Sequence, residues 1–536
     1  MFNRDRKFWG WGTTTHQTPT QVVDVARYFL AAKLNVAPGE PRAIPTLRSL
    51  HMPAPRCDIP NAFASIMTQE RYDRAVHTYG KAFRDVVRAL DGDFSPAPDL
   101  VAYPQTEDDI VRILAWAAQE NVAVIPYGGG SSVCGGIEYR GEPHDHTAVL
   151  SLDLCNLRRV LEIDKDSRTA RIQAGVYGPD LEDQLKPHHL SLRHFPQSFE
   201  FSTLGGWIAT RAGGHFATNY THIDDFVQSV RMVTPQGILQ TRRLPGNGAG
   251  PQEEGLILGS EGIFGIITEA WMRLQDRPTY RANCTVHFRS FHEGVEACKA
   301  LAQSGLFPAN ARLIEADEAF FMGAGDGQHH LLLLAFESAT HPQKDALHTA
   351  MKLCEQTGGT CLTPRFRDEK ASGVSTTSDA DDWKHAFTQA PYLRDEIARA
   401  GYIIETFETC TTWQNFPALD AAIRAAAKQS ATDRCGNHMI TCRFTHLYPD
   451  GPAPYYTVIA KGQAEQQLQD WDAIKTAVSN AIIEHGATIT HHHAVGKDHA
   501  PWYAQQNDPL SLAMLRAAKS TVDPQGILNP NTLFEL

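Results

Sequence analysis

Three glycine-rich segments, separated by long stretches of ordinary sequence, constrain this chain more than any other feature. The first, Pro126-Tyr127-Gly128-Gly129-Gly130-Ser131-Ser132, directly follows the apolar run Val122 to Ile125, which reads as a buried strand. Successive glycines let a backbone come close to a ligand and turn its N–H groups outward, an anion-binding nest suited to a pyrophosphate. The run is not a P-loop, because no Lys-Ser/Thr follows at the required spacing. Nor is it Gly-x-Gly-x-x-Gly, because Val133 stands where the last glycine belongs. Taken alone, a glycine turn between strands explains it equally well. Two further segments weaken that simpler reading. Gln197-Ser198-Phe-Glu-Phe201-Ser202-Thr203 leads into Gly205-Gly206-Trp207 and Thr210-Arg211-Ala212-Gly213-Gly214. Gly259-Ser-Glu261-Gly262-Ile-Phe-Gly265-Ile266-Ile267 comes about fifty residues later. Backbone-approach segments spread over about 140 residues fit one long, extended ligand better than isolated turns.

The surrounding pattern is an α/β alternation. Glu107 to Gln119 reads as a helix with Thr106 as its N-cap and Ile110, Ile113, Leu114 and Ala117 on one face. Strands are expected at Ala148 to Leu152, Thr169 to Ala174 and Gly265 to Leu274, with a helix after Pro179. Val227 to Thr234 and Ile238 to Thr241 flank Pro235-Gln-Gly237 and predict an antiparallel hairpin. From about Tyr280 the texture becomes α+β. It carries helices at His292 to Ser304 and Gln343 to Gln356, strands at Leu331 to Glu337 and Tyr402 to Phe407, and a mobile surface loop over Asp368 to Asp382. Helices Gln467 to Glu484 and Leu510 to Thr521 flank a histidine-rich loop near the C-terminus.

Composition narrows the class. At 536 residues the chain can bury a large core, and a net charge of −12 disfavours a broad nucleic-acid-binding surface. None of the ten cysteines forms a Cys-x-x-Cys pair, so neither a zinc ribbon nor a dithiol redox motif is indicated. The opening MFNRDRKFWGWG lacks an apolar signal core, and the longest aliphatic run, Leu331 to Phe336, is too short to span a bilayer. A soluble, cytoplasmic protein is the expectation.

The PYGGGSS, FSTLGGW and GSEGIFGII segments resemble the FAD-binding half of the vanillyl-alcohol oxidase and p-cresol methylhydroxylase (PCMH) flavoprotein superfamily. Within it, the chain is similar to the alkyldihydroxyacetonephosphate synthase family. That similarity runs from Trp9-Gly-Trp-Gly12 through His491-His-His-Ala-Val-Gly-Lys497 to Asp523-Pro. The resemblance implies an α+β fold: a two-subdomain PCMH-type FAD-binding domain plus an α+β cap domain with an antiparallel sheet. The expected division is a helical lead-in over 1–95, the FAD domain over 96–278 and the cap over 279–465. A C-terminal segment over 466–536 would then return to the FAD domain with the histidine triplet.

It also implies FAD as cofactor, held non-covalently, since some superfamily members carry a flavin-linking histidine in the glycine loop and none occurs here. The cofactor would lie on Pro126 to Ser132, Gln197, Ser198, Phe201, Ser202, Thr203, Gly206, Thr210, Arg211, Ala212, Gly213, Glu261, Gly262, Gly265, Ile266 and Ile267. The implied reaction exchanges the acyl group of a 1-acyl-dihydroxyacetone phosphate for a fatty alcohol through a flavin N5 adduct, with no net redox change. The alternative on the same fold is an FAD-linked oxidase or dehydrogenase of a 2-hydroxy acid or alcohol. A homodimer with peripheral membrane contact and no nucleic-acid partner is the expected assembly.

The family's catalytic positions map onto His194, Arg312 in Pro308-Ala-Asn-Ala-Arg-Leu313, Tyr455 after Tyr448-Pro-Asp-Gly451, and His491, His492 and His493. Arg394 in Tyr392-Leu-Arg-Asp395 is the expected substrate-phosphate ligand, a task its rigid fork suits. In an extended run His491 and His493 would face one side and His492 the other. The run also fits a solvated loop. No carboxylate or cysteine stands near it in sequence at ligand spacing, so no metal site is expected. A phenol titrates near 10, so Tyr455 needs positive charge or hydrogen bonds nearby to act as a base, and Tyr456 is its rival. Cys134 is expected to be a packed thiol rather than a flavin link.

Overall fold

The computed structural model describes residues 5–142, 144–368 and 379–534. Its first layer is a four-stranded sheet. Leu100–Ala102, Ala148–Asp153 and Val122–Tyr127 run parallel, and Met67–Thr68 pairs antiparallel at one edge. Parallel neighbours need a crossover, and the helix Glu107–Glu120 supplies one. Thr106 Oγ1 accepts from the Asp109 N–H while the Asp109 carboxylate accepts from the Thr106 N–H, a reciprocal cap that fixes the helix start. Asn121, at φ 52°, ends it in the left-handed region, and Ile110, Ile113, Leu114 and Ala117 are its buried residues. The Val122–Tyr127 strand is therefore delivered at a fixed place, with the glycine loop leaving its C-terminal end. Its free edge is covered by the chain's own C-terminal segment: Val124 N–H donates to Ile527 O and Asn529 N–H to Val124 O.

The second layer is an antiparallel sheet in the order Val160–Asp164, Thr169–Gln173, Ile266–Arg273, Val227–Thr234, Gly237–Gln240. The expected hairpin forms across Pro235-Gln236, its second strand starting one residue early at Gly237, whose φ of 134° favours glycine. One continuous apolar core joins these two sheets and includes Val495, Ile527 and Leu528 from the C-terminal segment.

Beyond Tyr280 eight strands form an antiparallel sheet whose centre is His330–Ser338, Asn310–Ile314, His438–Tyr448 and Gly451–Ala460, with Ile403–Glu408 at one end. Helices Phe291–Gln303, Lys344–Gln356, Phe416–Cys435 and Gln467–Glu484 bury one face in a second core. Side chains alternate across a strand, so the other face is free to build a cavity wall. Of the loop expected over Asp368 to Asp382, residues 369–378 lie outside the described residues. The last four positions instead open the helix Asp379–Arg399. Among the described residues no helix is long and apolar enough to cross a membrane.

Candidate active site

The two halves enclose a cavity of about 370 Å³. All the expected cofactor residues line it except Phe201 and Arg211. The glycines are needed because the loop is pressed against the second segment. A Cβ on Gly128 would stand 2.3 Å from Thr203 Oγ1, and one on Gly129 would stand 1.8 Å from the Phe201 carbonyl. No backbone hydrogen bond takes up the N–H groups of Gly128 to Ser132 among the described residues. A wall of free N–H groups beside Pro126, Ile266 and Ile267 fits a dinucleotide, whose phosphates need donors and whose flat ring needs apolar contact.

Arg211 does not line the cavity. It caps the helix Leu204–Thr210 at φ 50°, and its side chain, 60% exposed, pairs with Asp224. Phe201 turns away to meet the Trp11 ring edge-on. The Glu261 carboxylate is occupied by the Val495 and Gly496 N–H groups, and burial pushes it up to about 7 against their pull. Cys134 is a packed thiol whose Sγ donates to the His493 carbonyl at 3.1 Å, and burial raises its pKa.

The candidate catalytic residues are built on a row across three adjacent strands. Tyr455 is paired on one side with Glu408 and on the other with Arg443, so all three point to one face. The Arg443 guanidinium lies 3.7 Å from the Tyr455 ring centroid and pairs with Glu318, which also accepts from Thr441 Oγ1 at 3.0 Å. Burial raises the Tyr455 phenol pKa, and Arg443 opposes that rise. Tyr456, one residue on, points to the opposite face and donates to Asp420 at 2.9 Å, so it does not line the cavity.

Glu408 explains the histidine triplet, and the sequence reading missed it. Its buried carboxylate accepts from Thr490 Oγ1 and from the N–H groups of His491, His492 and His493. Burial pushes this carboxyl up to about 7, against the pull of those four donors. Three consecutive N–H groups can converge on one carboxylate only if the chain curls around it, so the run is not extended. The alternation expected of an extended run therefore fails. His492 and His493 both line the cavity, with Nδ1 atoms 3.3 and 3.7 Å from Glu408 oxygens. His491 is turned away, its Nε2 on Tyr448 Oη at 2.8 Å and its Nδ1 on His492 Nδ1 at 3.0 Å. Burial holds all three imidazoles below their ordinary pKa, His493 at about 3, so they are neutral near pH 7.

The fold also brings His222 and His446 to this cluster. The ligand nitrogens of His446, His491 and His492 lie within 4.8 Å of one another. Those of His446 are engaged with Gly214 O and Thr445 Oγ1.

His194 is not brought into the cavity. It is 1% exposed, packed between Trp207 and Phe226, and neither ring nitrogen has a hydrogen-bond partner among the described residues. Burial first, then His222, lowers its pKa to about 3. Arg312 and Arg394 do line the cavity. Burial lowers Arg312 to about 9, with Arg443 adding to the effect. Arg394 donates Nη2 to Lys81 O and Asp395 Oδ1, and its Nη1 makes no bond among the described residues.

Comparison with known proteins agrees with this architecture. Residues 98–242 match the FAD binding domain model, and residues 277–533 match the model of the C-terminal domain of FAD linked oxidases. The chain is 30% identical over 479 residues to an alkyldihydroxyacetonephosphate synthase of Trypanosoma brucei brucei, covering 87% of this chain and 78% of that protein. This chain belongs to the alkyldihydroxyacetonephosphate synthase family. A solved alkyldihydroxyacetonephosphate synthase superposes with a TM-score of 0.79 at 26% identity, covering 98% of each chain. A p-cresol methylhydroxylase shares the fold at a TM-score of 0.66 and 14% identity, covering 88% of this chain and 94% of its own. The chain is an enzyme of the synthase family, and its cofactor is FAD.

Proposed function

We propose that this enzyme exchanges the acyl group of a 1-acyl-dihydroxyacetone phosphate for a long-chain alcohol, yielding the 1-alkyl ether and a fatty acid. The observation that carries this reading is the mixed wall of one cavity. Tyr455, His492, His493 and Arg394 share it with Phe321, Met322, Leu393, Ile397, Met439 and Ile459. A small 2-hydroxy acid has no use for so many apolar neighbours, whereas an alkyl chain gains from burying each methylene against them. FAD lies non-covalently on the glycine loop and, when bound, supplies a reversible electron sink, which lets acyloxy be replaced by alkoxy without net redox.

The protein's own share is orientation and proton transfer. Arg394, which shares the cavity wall with Arg312, holds the phosphate. Tyr455 takes the proton from C1, helped by the Arg443 guanidinium against its ring, which stabilises the phenolate more than the phenol. His492 and His493, neutral and steered by Glu408, take the hydroxyl proton of the incoming alcohol. Substrates of this kind reside in lipid, and the exposed Val22, Val25, Tyr28 and Phe320 provide an apolar surface for it. Among them Phe320 lies 5.8 Å from the Phe29 ring, which in turn lies 5.7 Å from Phe321 of the cavity wall.

Incubation of the purified holoprotein with acyl-dihydroxyacetone phosphate and isotope-labelled hexadecanol tests the reading. Label in an alkyl ether, with one fatty acid released per ether formed, supports it. Fatty acid release without ether, or no reaction at all, sinks it.

A further inference from the structure

The segment Arg6 to Gly12 takes no part in the chemistry above, yet it touches both sides of the site. Arg6 is only 6% exposed although it belongs to the N-terminal lead-in. Its Nη1 donates to the Gly129 carbonyl at 2.8 Å and to Tyr127 Oη at 3.0 Å. The guanidinium sits 5.4 and 5.3 Å from the Tyr127 and Tyr177 ring centroids, and Tyr177 Oη in turn donates to the Gly128 carbonyl at 3.2 Å. Two successive carbonyls of the glycine loop are therefore tied from one side. Across a trans peptide the N–H points opposite to the C=O, so the N–H groups of Gly129 and Gly130 are aimed away from Arg6. Arg6 Nε and Nη2 are buried with no hydrogen-bond partner among the described residues, while the negative charges of the site region, Asp153 among them, help keep the guanidinium charged against burial.

The rest of the segment is fastened to the substrate wall. Arg6 bridges Thr13, and Lys7 N–H donates to Gly12 O, which folds the segment back on itself. At its tip the Trp11 N–H donates to Asp395 Oδ2 at 2.6 Å, while Asp395 Oδ1 holds Arg394 at 2.7 Å. The Trp11 side chain lines the cavity and meets Phe201 edge-on. Gly12 has φ 90°, and a Cβ there would stand 2.4 Å from the Tyr392 ring.

We propose that Arg6–Gly12 is a strap that completes the pyrophosphate site of FAD. Arg6 fixes the glycine loop from behind and adds a positive charge to it, and Trp11 and Gly12 anchor the strap to Arg394–Asp395. The inference rests on the glycine loop being the FAD phosphate site. Arg6 acts through that loop, so it is a positioning residue whose effect is read in cofactor affinity rather than in turnover.

The test compares FAD with riboflavin, which shares the ring but carries no phosphate. Both are titrated into flavin-stripped protein and followed by flavin fluorescence. Arg6→Met weakens FAD binding about 10- to 100-fold, the worth of a charge-assisted contact, and leaves riboflavin binding unchanged. Arg6→Lys, which keeps the charge but not the fork, falls between. Gly12→Ala pushes the strap off Tyr392 and weakens FAD binding in the same direction. Circular dichroism of each stripped variant establishes that it is folded, and should Arg6→Met fail to fold, Arg6→Lys carries the test. FAD affinity within about twofold of wild type in the folded Arg6 variants, or equal losses for FAD and riboflavin, overturns the strap. Wild-type protein that binds no FAD would instead overturn the cofactor reading beneath it.

Discussion

His194→Phe separates a residue that reacts from one that packs. His194 is 1% exposed, its ring 5.0 Å from Trp207 and 5.9 Å from Phe226, with both nitrogens unpartnered among the described residues. Phenylalanine keeps the aromatic contacts and removes two buried polar atoms. Each unpaired polar group costs about 1–3 kcal/mol, and the slightly larger ring costs about 1–2 kcal/mol of overpacking. At pH 7.5 the variant is therefore as stable as wild type or up to about 5 kcal/mol more stable.

The pH dependence sharpens the test. Burial lowers His194 to about 3, against 6.5 when unfolded, so between these values the unfolded chain binds the extra proton. The contribution of this group to stability is complete above pH 6.5 and is lost as pH falls toward 3. At one pH unit below 6.5 the loss is about 1.4 kcal/mol, and the phenylalanine variant does not suffer it. Urea unfolding at pH 7.5 and 5.5 measures both quantities, and turnover measures the rest. Activity within a few-fold of wild type, with a flatter acid limb, is the expected outcome. A folded, FAD-replete variant that has lost activity by orders of magnitude would show that His194 reaches the substrate and that the cavity is drawn wrongly.

Four other substitutions probe the site. Tyr455→Phe keeps FAD and lowers turnover by about 10²- to 10⁴-fold, whereas Tyr456→Phe loses only its bond to Asp420, about 1 kcal/mol of stability, with turnover kept. Reversed phenotypes in the kinetic and melting assays would move the base role. Glu408→Ala removes the acceptor of three consecutive N–H groups and lets the triplet uncurl. Turnover falls about a hundredfold with the flavin spectrum retained, and unchanged turnover would show that His492 and His493 need no such support. Arg394→Ala raises KM for the phosphorylated substrate about tenfold or more with a smaller change in kcat, and an unchanged KM assigns the phosphate elsewhere.

What could be read in the sequence was local. The helix Glu107–Glu120 announces itself through Thr106 and its apolar face, the hairpin through Pro235-Gln-Gly237, and the cofactor wall through glycines that tolerate close backbone approach. The three segments meet in space as their spacing suggested. What stayed hidden depends on contacts between distant strands. Glu408 is an unremarked acidic residue until the run 490–493 folds onto it, and Arg443 gains meaning only as the strand neighbour of Tyr455. His222 and His446 join the triplet from other elements for the same reason. The assumption of an extended triplet failed because a buried carboxylate overrode strand alternation. Arg211 and His194 were assigned by position in a motif, and motif position does not say which way a side chain turns.

The most direct test of alkyl exchange without net oxidation is flavin absorbance during anaerobic turnover. Holoprotein mixed with acyl-dihydroxyacetone phosphate and fatty alcohol should form many equivalents of ether per flavin and return to the oxidised spectrum, while 2-hydroxy acids leave that spectrum unchanged. Stoichiometric and lasting bleaching by a 2-hydroxy acid, with no ether formed from the acyl substrate, would contradict the account.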